Sequence, residues 1–141
     1  MPAATGYTLT TTTERPFEQA VERVRAELAR EGFGVPAEID VQTLLRDKIG
    51  AAMEPYLILG ACIPPLAHRA LSAEPQLGTL LPCNVVVYER DGATEIAAID
   101  PERMLSIVDN DDLAPVAAMV REKLAAVLER CRDDHFLAEH A

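Results

Sequence analysis

In "PFEQAVERVRAELAREGFG" the apolar residues Phe17, Val21, Val24 and Leu28 recur at spacings of four, three and four. That spacing draws one stripe along a helix. Pro16 suits its first turn, and Gly32 suits the left-handed position just past its end. Upstream, "YTLTTTTE" is rich in β-branched residues and predicts a first strand ending near Thr13. Downstream, "FGVPAEID" predicts a short second strand whose Pro36 favours a sheet edge. Asp40 is a good N-cap for "VQTLLRDKIG", a short helix closed by Gly50. "MEPYLILGAC" supplies a third strand. Pro64 and Pro65 open a helix through Ala73, with Leu66, Ala67, Ala70 and Leu71 as its buried stripe. "CNVVVYER" and "ATEIAAID" form a hairpin around Asp91-Gly92, residues that tolerate positive φ in a tight turn. Met104 and Leu105, after "DPER", staple a short helix to the sheet. The last long helix begins near Asp112 and carries Leu113, Val116, Val120, Leu124, Val127, Leu128 and Cys131 at helical spacing.

The order β-α-β-α-β-α-β-β-α contains a hairpin that pairs only antiparallel. It predicts an α+β fold, one domain over residues 1–141, with helices packed on an antiparallel sheet. Residues 132–141 read as a polar tail holding His135 and His140. Both sheet faces are apolar. Tyr56, Ile58 and Gly60 face one way and Leu57, Leu59 and Ala61 the other. In the hairpin, Val85 and Val87 oppose Val86 and Tyr88, and Ile96 and Ala98 oppose Ala97 and Ile99. A sheet covered on one side only alternates apolar with polar, so something covers each face. Helices on both sides would do it, and so would a homodimer sharing part of the sheet.

Composition narrows the partners. The chain has 141 residues and a net charge of -10, with 13 Lys and Arg against 23 Asp and Glu. No basic run exists to neutralise phosphates, and an aromatic content of 4% without tryptophan provides no stacking platform, which argues against nucleic acid. The carboxylates read as solvated helix faces. The N-terminal "MPAATGYTLT" lacks the basic and apolar segments of a secretory signal, and no run approaches the roughly 20 apolar residues of a membrane span. The expectation is a cytoplasmic chain whose three cysteines stay reduced.

"YLILGACIPPLAHRALSAEPQLGTLLPCNVVVYE", flanked by "GFGVPAEIDVQTLLRDKIG" and "AAIDPERMLSIVDND", resembles the domain-of-unknown-function family 302 over roughly residues 7–131. The resemblance implies a compact, often dimeric α+β domain. Its curved antiparallel sheet would be similar to the TATA-binding-protein type, and no established activity comes with it. The family pattern has Asn between the cysteine and the prolines, where this chain has Ile63.

That departure bears on chemistry. Asn before Pro would cap the helix, whereas Ile63 cannot, and Cys62 lies one residue earlier. A helix N-terminus carries about half a positive charge and favours a thiolate. Cys62 is therefore the candidate for reactivity or for holding an anionic or small-molecule ligand, and a buried packing thiol is the alternative. Cys83, at a strand entrance after Pro82, is the second candidate. His68 is the one histidine placed to serve as a base, although its position beside the apolar stripe also suits a solvent-facing ring. Lys48 would attract an anion if aimed inward, and Asn84 could hold a ligand. Cys131 reads as core. Zinc commonly takes four ligands in close pairs such as C-x-x-C, and none exists, so no metal site is predicted and the cofactor is undetermined. No phosphate loop, dinucleotide fingerprint or G-x-S-x-G is present. The expectation is a small-ligand binding or sensing domain around Cys62 and Cys83, with no complete catalytic set. The rivals are a thiol-based sulfur carrier or redox protein and a purely structural dimerisation module.

Overall fold

The computed structural model describes residues 2–132. The tail with His135 and His140 lies outside the described residues. Six strands form one antiparallel sheet: β1 (Ala3–Ala4), β2 (Thr8–Thr13), β3 (Gly34–Asp40), β4 (Tyr56–Cys62), β5 (Cys83–Arg90) and β6 (Ala93–Ile99). Their spatial order is β1-β2-β6-β5-β4-β3. Five helices accompany them: α1 (Phe17–Arg30), α2 (Val41–Ile49), α3 (Pro64–Ala73), α4 (Pro101–Leu105) and α5 (Ala114–Arg130). The α+β architecture expected from the pattern is the one observed.

Local chemistry explains the boundaries. Asp40 caps α2 by accepting from the Thr43 amide at 3.0 Å, and Gly50 ends it at φ 67°. Asp91 and Gly92 both take positive φ, 52° and 82°, in the β5–β6 turn. Two 3-10 turns, Pro75–Thr79 and Asp111–Leu113, and the two-residue strand β1 lack the length for a periodic signal. Asn110 caps the second turn, so α5 starts at Ala114 rather than near Asp112.

One sheet face is sealed. Leu9, Ala98, Val85 and Leu59 form a continuous cross-strand row, each no more than 2% exposed. Ala20, Val24 and Leu28 of α1 and Leu124, Val127 and Leu128 of α5 close over them. Burying a leucine or valine side chain this completely contributes about 1.5–3 kcal/mol, so this layer carries most of the apolar stabilisation. Cys131 is buried within it, as the α5 stripe predicts. A smaller cluster joins Ala70, Leu77, Leu105, Leu113, Val116 and Ala117 where α3, α4 and α5 meet.

The opposite face differs. Ala3, Thr10, Ala97, Val86, Ile58 and Ile39 share one register row across all six strands. None of them is buried, and neither core cluster includes them. The Tyr56 and Tyr88 rings stack beside this row, with centroids 5.2 Å apart. The α2 helix runs against β3 and β4 yet buries none of its side chains. The expectation that something covers both faces thus holds for one face in the isolated chain.

The two sheet edges are unlike the centre. β1 has two residues, and β3 carries Pro36 within a register shift between Gly34 and Ala37.

Candidate functional site

β4 and β5 bring Ala61 opposite Cys83, which puts Cys62 one residue from that pair at the same end of the sheet. Both cysteines are among the residues of a pocket roofed by α3, α4 and the first half of α5, although strand alternation turns the Cys62 side chain toward the face opposite Cys83. Its free volume is about 30 Å3, above the roughly 10–15 Å3 that holding one water requires. The rest of its wall is hydrocarbon except for the thioether of Met104. No carboxylate, amine, imidazole or amide side chain lines it.

The two sulfurs sit in different settings. Cys83 is buried, and that burial, with repulsion from Cys62 as a lesser cause, pushes its thiol up to about 11. Cys62 is half-buried. It precedes α3, whose N-cap Ile63 makes no side-chain cap hydrogen bond. The donors expected to gather there are few, because Pro64 and Pro65 have no amide hydrogen and the Ala67 amide already donates to the Ile63 carbonyl. Leu66 is left as the one free amide of the first turn. The helix end is therefore a weaker anion cradle than the pattern around Ile63 implies.

The remaining candidates are dispersed. His68 is exposed on α3 and does not line the pocket. Its backbone carbonyl accepts from the Ser72 hydroxyl at 2.7 Å, while its ring faces outward. A base beside Cys62 is thus not supplied by His68. Lys48 is exposed near the C-terminal end of α2, away from the pocket lining, where the helix dipole favours a cation. Asn84 is exposed because strand alternation turns it away from the face that holds Cys83. Leu71, expected in the buried α3 stripe, is 38% exposed, since Leu66, Ala67 and Ala70 take the inward positions. Met104, read from sequence as an apolar staple, adds the third sulfur.

Gly60 explains how the loop reaches the pocket. A Cβ there would lie 2.6 Å from the Pro82 ring and 3.2 Å from Ala37. Only glycine lets Pro82, in a cis peptide with Leu81, close over β4 and deliver Cys83 to its place.

Sheet and pocket together define a small α+β domain with one sealed sheet face and a sulfur-lined cleft at the sheet end. The family model described as "Domain of unknown function DUF302" matches residues 9–131, and the chain belongs to that family. A crystal structure of the uncharacterized conserved protein DUF302 from Bacillus stearothermophilus is similar at 33% identity and a TM-score of 0.83. That match covers 89% of this chain and 98% of the other. Nothing among curated proteins matches the chain. No helix among the described residues is long and apolar enough to cross a membrane.

Proposed function

We propose that this single-domain chain is a non-enzymatic binding or sensing module whose site is the Cys62–Cys83 pocket. The observation that carries the reading is that Cys62 and Cys83, from neighbouring strands, belong to the lining of one apolar pocket that no acid or base side chain lines. A nucleophilic enzyme needs a base within hydrogen-bond reach of its thiol, and His68 is turned to solvent. The same two thiols favour a second reading, sulfur carriage or disulfide exchange through Cys62. Three free cysteines accord with work in the cytoplasm. The unsealed sheet face supports a homodimer that covers it.

The test is alkylation of the folded protein. Cys62 reacts with iodoacetamide under native conditions, while Cys83 and Cys131 react only on unfolding. Partly filling the pocket with Ala67→Val slows Cys62, and circular dichroism checks that the variant stays folded. Reaction of Cys62 only after unfolding removes the site. A stable persulfide on Cys62 after exposure to a sulfur donor would favour the carrier reading instead.

A further inference from the structure

We infer that two copies of this chain join by lodging α2 of each in a groove on the sheet of the other, about a two-fold axis parallel to the strands. This rests on the homodimer proposed above for the unsealed face, and it names the surfaces that meet. The ridge is α2. None of its side chains is buried, and it belongs to neither core cluster. Its Leu44 is 44% exposed and its Ile49 75%. Ile39, which ends the open row at the β3 edge, is 46% exposed and lies two residues before the helix. Apolar surface gathered in this way marks a contact with another molecule.

The hollow lies on the opposite flank of the sheet. It is a groove of about 500 Å3 whose lining includes Ala3, Thr10, Thr12, Tyr88, Glu95 and Ala97. Register puts Thr10, Thr12, Glu95 and Ala97 on the open face, where four of the six named residues are Ala or Thr and leave room for a helix. Ridge and hollow also share one level along the strands. Asp40, the last residue of β3, is in a cross-strand row with Leu57, Val87, Ile96 and Thr11. The helix starts at the next residue, level with the stretch from Thr10 to Thr12 that lines the groove. A two-fold axis parallel to the strands exchanges the flanks and keeps that level, so each α2 meets the partner's groove. An axis across the strands would oppose the two helices and leave both grooves empty. The face is thus complementary to itself, as a closed pair requires.

Area favours the same arrangement. Three open rows across six strands cover about 500 Å2, short of the roughly 600 Å2 per partner at which stable interfaces begin. One side of a nine-residue helix adds about 130 Å2 and carries the contact past that size.

The experiment is sedimentation of the full chain with two variants, Leu44→Glu on the ridge and Thr10→Arg in the groove. Neither position is buried, and circular dichroism checks that both variants stay folded. The unmutated chain sediments as a pair. Each variant alone raises the dissociation constant by about 100-fold, because the symmetry repeats every change. Mixing the two variants restores pairs to within about 10-fold of the unmutated chain, since one helix and one groove stay intact and the other contact sets Glu against Arg. Loss of pairing in both variants without rescue on mixing overturns the arrangement. If Val86→Lys separates the copies while Leu44→Glu and Thr10→Arg do not, the homodimer through the open face stands and the part given to α2 falls. A monomer in the unmutated protein overturns both and leaves the face to a partner of another kind.

Discussion

At the scale of single residues, the two buried thiols act on stability as well as chemistry. Burial first, then repulsion from Cys62, raises Cys83 from 9.0 to about 11. Burial raises Cys131 to about 12, against an opposing pull from Arg23, Arg15 and Arg130. Both folded values lie above the unfolded one, so the folded chain keeps protons that the unfolded chain has released at alkaline pH. The stability is therefore intact below about pH 9 and falls as pH rises toward 11. Raising a thiol's pKa by one costs its ionised form roughly 1.4 kcal/mol, so the loss reaches a few kcal/mol. Urea midpoints followed upward from neutral pH should decline in the unmutated chain, and Cys131→Ala should flatten the decline. A profile equally steep in that variant would trace the alkaline loss to other groups. Cys62 and Cys83 were legible as neighbours because adjacent antiparallel strands bring their ends together. The exposure of His68 was half legible, from its place beside the α3 stripe. That of Leu71 was not, because the direction of one side chain on a short helix is set by how that helix docks.

At the scale of elements, punctuation residues carried most of the information. Asp40, Gly50 and the Asp91-Gly92 pair end or turn the chain where their backbone preferences require. Asp40→Ala removes the acceptor for the Thr43 amide and should cost about 1 kcal/mol, read as a lower urea midpoint with an unchanged slope. Gly60→Ala is expected to be worse. Its methyl group meets the Pro82 ring at 2.6 Å, and a rigid ring closed over an interior strand cannot swing aside. A cost of about 1–3 kcal/mol follows from such overpacking, together with faster alkylation of Cys83 as the loop loosens. A neutral Gly60→Ala would mean that Pro82 does not hold the β4–β5 end closed. This contact was invisible in the sequence, since it joins residues 22 apart through a loop without periodicity. The shortest pieces, β1 and the two 3-10 turns, were illegible for the same reason.

At the scale of the whole molecule, the apolar pattern announced a two-sided sheet, and the helices seal only one side. Ile58, Val86 and Ala97 remain half-exposed in a row on the other. A homodimer through this face should scatter light at about twice the 15.3 kDa chain mass at micromolar concentration. Val86→Lys should return the chain mass to one copy while leaving the circular dichroism spectrum intact. A monomer in the unmutated protein sinks the dimer and leaves the face with another occupant. Pattern alone could not choose, because an apolar face reads alike whether a helix or a second molecule covers it.

The blunted sheet margins decide how such association can proceed. A newcomer strand needs a straight row of unpaired amides and carbonyls to copy. β1 offers two residues, and β3 is interrupted by Pro36, which has no amide hydrogen, and by its register shift. Copies of this chain that meet at high concentration thus find no edge strand to extend, which disfavours fibre growth by strand addition.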